Sequence, residues 1–203
     1  MKRISLFSAL LVSLVSACEP QQPATAPVVG NSSPPTPAPV AAPAATQGTV
    51  SPMAPVAAGP IVATIDSKSG SRATGQVVLT EAGAGVHVVV TVEGAVPGTH
   101  GLHFHENGDC SAMDGTSAKG HYNPENHAHG LPTAGVRHLG DLGNIEVKAD
   151  GKGRLEMDLP NASLVPGAPN TLRGKAVILH EKTDDGSQPA GNSGARIGCA
   201  VVP

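Results

Sequence analysis

From residue 59 onward the chain reads as short runs in which apolar and polar residues alternate. In Val86-His87-Val88-Val89-Val90-Thr91-Val92 every even position is valine, so an extended strand here has one apolar face and carries His87 and Thr91 on the other. Runs at 61–65 and 76–80 flank Ser69-Gly70-Ser71, which reads as a hairpin. In a later run Leu155, Met157 and Leu159 alternate with Glu156 and Asp158, after a turn at Asp150-Gly151-Lys152-Gly153. Further strands are predicted at 99–105, 145–149, 174–180 and 196–202. The pattern therefore predicts eight strands in one all-β domain over 59–203, an antiparallel sandwich or flattened barrel. One segment, 106–142, has no period and is rich in Gly, Asn, Asp and His. A connection of that length is usually functional or disordered, and bound metal would order it.

The chain before residue 59 is of another kind. Lys2 and Arg3 precede an apolar run too short to cross a bilayer, and Val15-Ser16-Ala17-Cys18 follows. Residues 1–18 thus resemble a bacterial lipoprotein signal with its lipobox, which implies cleavage before Cys18 and lipid on that residue. Residues 19–58 are mostly Pro, Ala, Thr, Val and Ser with almost no charge, a composition that buries no core and favours extended backbone. In the polyproline form, at about 3.1 Å per residue, this tether would reach at most ~120 Å. The expectation is a domain held off a membrane on the periplasmic side of a bacterial cell envelope.

Composition narrows the choice of core and partners. Aromatic residues make up 1% of the chain, with no Trp, so the core must be built from Val, Ile, Leu and Ala. With 25 Gly and 19 Pro, short strands with many turns are favoured over long helices. The net charge is −3, from 13 basic and 16 acidic residues, and without Lys2 and Arg3 it is 11 − 16 = −5. No basic face is visible, so no nucleic-acid partner is expected. Lipid on Cys18 would account for the odd one of three cysteines.

Histidine is where the chemistry gathers. The stretch 100–141 holds His100, His103, His105, His121, His127, His129 and His138, out of nine histidines in the chain. Residues two apart on a strand point the same way, so His103 and His105 can reach one ion. Neutral imidazole binds copper and zinc, and carboxylate is a common additional zinc ligand. His121 lies on the loop, and His180 ends the strand that begins near Ala176. His129, His138 and Asp141 form a second group. Seven candidate ligands leave two four-coordinate ions one short, unless one residue serves both. The imidazole of His121, which lies between the groups in sequence, has two nitrogens and can bridge.

Four motifs in order then resemble the copper/zinc superoxide dismutases. They are Gly101-Leu102-His103-Phe104-His105-Glu106 with Gly108-Asp109-Cys110; Gly120-His121-Tyr122-Asn123-Pro124; His138-Leu139-Gly140-Asp141-Leu142-Gly143-Asn144; and Gly191-Asn192-Ser193-Gly194-Ala195-Arg196-Ile197-Gly198-Cys199. The resemblance spans roughly residues 61–202. It implies a Greek-key fold and dismutation of superoxide to oxygen and hydrogen peroxide, by a copper ion that changes oxidation state beside a structural zinc. It places copper on His103, His105, His121 and His180, and zinc on His121, His129, His138 and Asp141. It pairs Cys110 with Cys199 in a disulfide, as suits an oxidising exported setting. Asp184 would link His103 to His129, and Arg196 would receive the anionic substrate. The chain would act as a monomer or homodimer. Two departures stand out: Cys110 and His121 are further apart than in the familiar animal enzymes, and the stretch 181–195 is short, so the charged loop that steers substrate there need not exist in that form. Lys119 reads as a solvated loop lysine or as a helper in steering the anion, His100 as a structural histidine bonded to backbone, His127 as a non-ligand and Tyr122 as packing beside the bridge. A metal-binding module without catalysis is the competing reading.

Overall fold

The predicted alternation becomes eight strands: β1 (Ile61–Ser67), β2 (Thr74–Ala82), β3 (Gly85–Glu93), β4 (Gly98–His105), β5 (Asp141–Val147), β6 (Gly153–Pro160), β7 (Ala176–His180) and β8 (Arg196–Val201). They are seen in a computed structural model that describes residues 59–203. The expected leader at 1–18, lipidated Cys18 and the tether at 19–58 lie outside the described residues. The strands close into an antiparallel barrel in the order β1-β2-β3-β6-β5-β4-β7-β8. Consecutive strands β3 and β4, and β6 and β7, are not neighbours in that order, so both connections cross an end of the barrel in Greek-key fashion. The all-β, eight-stranded antiparallel barrel is thus the expected fold.

The inward face is aliphatic, as the composition required. Ile61, Ala63 and Ile65 of β1, Val77 and Leu79 of β2, and Val86, Val88, Val90 and Val92 of β3 are all buried. His87 lies on the outer face and is partly buried. It pairs in register with Asp158 of β6. Its ring lies between two carboxylates, 2.7 Å from Asp158 Oδ1 and 3.2 Å from Glu156 Oε1, and is half-covered by them.

Strand β4 is buried on both faces along its last six residues. Leu102 and Phe104 fill the barrel, while His103 and His105 point outward under the loops and are as fully covered as a core residue. Asp141, expected on the loop, instead opens β5, because it pairs across from His103 at a register irregularity in β4. The remaining loop carries a single 3-10 turn, Thr116–Ala118. A disulfide joins Cys110 of this loop to Cys199 of β8, closing a sequence separation of 89 residues. The loop is further held by Lys68 Nζ, which donates to the Cys110 carbonyl at 2.6 Å.

Candidate metal centre

Two strand ends and the long loop between β4 and β5 bring the histidines together. β4 supplies His103 and His105, and its hydrogen-bonded neighbour β7 supplies His180. The loop bearing His121 is stitched to the end of β4: Tyr122 N–H donates to Phe104 O at 2.8 Å, Phe104 N–H to Gly140 O at 2.8 Å, and Gly140 N–H to Tyr122 O at 2.9 Å. A Cβ on Gly140 would stand 2.4 Å from Phe104 O, so only glycine lets the loop that bears His138 approach this closely.

Two groups of ligand atoms result. One nitrogen each of His103, His105, His121 and His180 lie within 4.8 Å of one another. The same holds for one atom each of His121, His129, His138 and Asp141. His121 belongs to both groups, and its ring lies 4.0 Å from that of His103, centroid to centroid. All seven candidate ligands inferred from the sequence are thus brought together.

Each ring in the first group has its far nitrogen occupied. His103 Nε2 faces Asp184 Oδ2 at 2.8 Å, His105 Nδ1 donates to the Lys119 carbonyl at 2.8 Å, and His180 Nδ1 to the Gly194 carbonyl at 3.4 Å. A neutral imidazole that donates from one nitrogen presents a lone pair at the other. Those other atoms, His103 Nδ1, His105 Nε2 and His180 Nε2, are buried without any hydrogen-bond partner. Three buried lone pairs that converge on one point are costly unless a cation takes them. In the second group, Asp141 is completely buried and faces three rings. His121 Nδ1 lies 2.9 Å and His138 Nδ1 3.2 Å from its Oδ1, and His129 Nδ1 lies 3.0 Å from its Oδ2. That last contact lacks hydrogen-bond alignment, so His129 Nδ1 is also a buried orphan. Gly130 N–H and His138 N–H donate to Asp141 Oδ2 at 3.0 and 3.1 Å. Both donor sets fit divalent transition metals, nitrogen-only in one and nitrogen with one carboxylate in the other.

Asp184 connects the two groups from behind. Its Oδ2 meets His103 Nε2, and its Oδ1 meets His129 Nε2 at 3.0 Å. Burial works against the charge, but hydrogen bonds from His103, Gly186 and His129 outweigh it and hold this carboxyl well below the usual carboxylate range. Asn144 grips its backbone, accepting from Asp184 N–H at 2.8 Å and donating to Asp184 O at 2.9 Å. Gly191, at φ +71°, backs the carboxylate so closely that a Cβ would fall 1.9 Å from Oδ1.

Burial sets the protonation of the rings. It pushes His103 down to about 4, His180 to about 3 and His105 to about 2. An unfolded histidine titrates near 6.5, so between pH 6.5 and 4 the unfolded chain binds protons that the folded chain refuses. The metal-free protein is therefore expected to keep its full stability above pH 6.5 and to lose it steadily as pH falls toward 4. Asp184 does not offset this, because a carboxylate with a lowered pKa forfeits its contribution only below about 4. Thermal melts of the metal-free protein at pH 7.5, 5.5 and 4.5 check the slope; a flat melting temperature would contradict neutral buried rings.

Arg196 begins β8 and stands at the cleft that opens onto the first group. This cleft, of about 650 Å³, is lined by His105, His121, His180, Asn192 and Arg196 among others. The guanidinium donates to Gly115 O at 2.9 Å and to Lys119 O at 2.7 Å. A larger groove of about 920 Å³, around Val96 and Lys182, contains none of the clustered rings.

Lys119 matters by its backbone. At φ 62° it turns its carbonyl toward both His105 and Arg196, a role its side-chain chemistry gave no sign of. His100 is structural as expected, with Nδ1 2.8 Å from His180 O and Nε2 2.8 Å from Val96 O. His127 joins neither group and contacts Arg137 O and Glu125. Tyr122 packs in the core and donates its hydroxyl to Pro169 O at 2.9 Å.

Comparison with known proteins points the same way. A family model described as copper/zinc superoxide dismutase matches residues 73–202. The extracellular Cu-Zn superoxide dismutase of Caenorhabditis elegans is 40% identical over an alignment of 119 residues, covering 55% of this chain and 52% of that protein. A Cu-Zn superoxide dismutase of Onchocerca volvulus is 38% identical over 121 residues, covering 55% of this chain and 75% of that protein. The chain thus spans about half the length of the first relative and three quarters of the second. Among solved structures, a SOD-like protein from Bacillus subtilis aligns with TM-score 0.64 and 36% identity, over 70% of this chain and 97% of that one. The clock protein EA4 aligns with TM-score 0.63 and 34% identity, over 70% and 92%.

Proposed function

This chain belongs to the copper/zinc superoxide dismutase family, and we propose that it converts two superoxide ions and two protons into oxygen and hydrogen peroxide. In this reading copper is held by His103, His105, His121 and His180, and zinc by His121, His129, His138 and Asp141. The observation that carries it is the set of orphaned buried ring nitrogens in two groups that share His121. Copper supplies a one-electron couple when bound, whereas zinc supplies charge without redox change.

The chain's own residues provide the rest. His121 directs Nδ1 toward Asp141, which leaves Nε2 for the copper-side group and makes it the atom fit to hold and return a proton. Asp184, Lys119 O and Gly194 O fix the tautomers of His103, His105 and His180, so that each ring presents its lone pair inward. Arg196, anchored by two neutral carbonyls, keeps its positive charge free at the cleft and attracts the anion.

The setting follows the same chemistry. The disulfide suits an oxidising compartment, and one relative is named as extracellular. With the lipobox ending at Cys18 and the spacer at 19–58, the reading is an exported, lipid-anchored enzyme that protects the cell envelope from superoxide.

Loading the purified protein with copper and zinc and following superoxide loss tests the activity. A module that binds both metals yet leaves superoxide untouched would replace an enzyme with a metal carrier. Arg196→Ala is expected to retain copper and to lower kcat/KM about 10-fold or more at low salt. An unchanged rate would remove Arg196 from anion capture.

A further inference from the structure

Arg196 is the one side chain with a fixed positive charge among the described residues that line the cleft. Its place is set by the turn at Gly115. The guanidinium donates to Gly115 O, and a Cβ on Gly115 would lie 3.2 Å from Arg196 Cβ. The residue before that glycine is Asp114. Its carboxylate is fixed by the same turn, with Oδ1 accepting from Thr116 N–H at 3.1 Å and from Thr116 Oγ1 at 2.7 Å. Both guanidinium hydrogen bonds go to neutral carbonyls, so contact does not quench the charge. A carboxylate in the same turn, one residue from that contact, still weakens the field that an incoming anion meets.

We propose that Asp114 restrains anion capture, setting how strongly Arg196 draws a small anion into the cleft. The inference rests on the reading of Arg196 as the anion receiver. Electrostatic influence between the two groups is consistent with it: burial disfavours the Arg196 cation, and the charge of Asp114 works in the opposite sense. Arg196 in turn helps to hold the Asp114 carboxyl below its usual range, after the larger effect of Thr116. Asp114 belongs to neither candidate ligand group.

The test is an azide titration of the copper- and zinc-loaded full-length protein, followed by the optical change on anion binding, beside kcat/KM for superoxide. Asp114→Asn is expected to bind azide about two- to fivefold more tightly at low ionic strength, the difference closing near about 0.5 M salt as screening sets in. Its kcat/KM should rise by a similar factor with kcat unchanged. Asp114→Glu should behave as the wild type, which a purely structural role of the turn would not predict. Asp150→Asn makes the same change in net charge in the β5–β6 turn, at the other end of the β4–β5 pair from His103 and Asp141, and should alter nothing. Azide affinity unchanged in Asp114→Asn, an equal gain in Asp150→Asn, or a gain that persists at high salt would each overturn the proposal. If the wild type binds azide and shows the Asp114 effect but does not consume superoxide, the proposed activity fails and the role of Asp114 stands.

Discussion

His121→Ala is expected to cost the protein both metals together. The ring belongs to the two ligand groups at once, with Nδ1 2.9 Å from Asp141 Oδ1 and its centroid 4.0 Å from that of His103. Alanine would leave each group with three ligand residues and a hole between them. Because loss of an outer hydrogen-bond partner alone costs about 10–100-fold in metal affinity, loss of this ligand should exceed roughly 100-fold at both sites. Superoxide consumption should fall to the background rate. Metal content after dialysis against a weak chelator, measured separately for copper and zinc, decides the matter. Zinc retained at wild-type affinity while copper is lost would mean that the ring serves only one site. The stitched backbone of Phe104, Tyr122 and Gly140 does not depend on the His121 side chain, so the fold should survive the change.

Asp184→Ala is expected to weaken both sites without removing any ligand. Two buried ring N–H groups, on His103 and His129, would lose their acceptor at once. An unsatisfied buried donor costs about 1–3 kcal/mol, and each ring would then be free to take the tautomer that turns its lone pair away from the metal. Affinity at each site should fall about 10–100-fold. Asp184→Asn sharpens the test. A carboxylate offers an acceptor to each ring, whereas an amide offers one oxygen and a donor that opposes the second N–H. Asparagine should therefore spare one site and impair the other, and alanine should impair both. Equal, wild-type affinity for the two metals in Asp184→Ala would show that packing around Gly191 and Asn144 orients the rings without the carboxylate.

Much of this arrangement can be traced to local pattern. The valines of β3 and the Leu102-His103-Phe104-His105 alternation define a strand, and the period of two places both histidines on one side. The apolar period also marks the eight strands to within a few residues of their ends. Other features carry no local mark. Asp141 reads as a loop residue because no apolar alternation leads into it, yet pairing with β4 draws it into β5. The Lys119 carbonyl is invisible as a partner for His105 and Arg196, since every residue has a carbonyl and only the left-handed turn aims this one. Asp184 as a link, and Cys110 with Cys199 as a pair, came from the family resemblance and not from any property of those residues alone.

By itself the sequence singled out the candidate ligand side chains and the strands that face them with aliphatic cover, because side-chain type and the two-residue period are local quantities. Only the tertiary structure decided that Asp141 opens β5 opposite His103, that the Lys119 carbonyl meets both His105 and Arg196, and that Asp114 lies in the turn that seats Arg196. Those relations join residues from different loops and strand ends. They exist only once the barrel has closed and long-range backbone hydrogen bonds have drawn the loops over its rim.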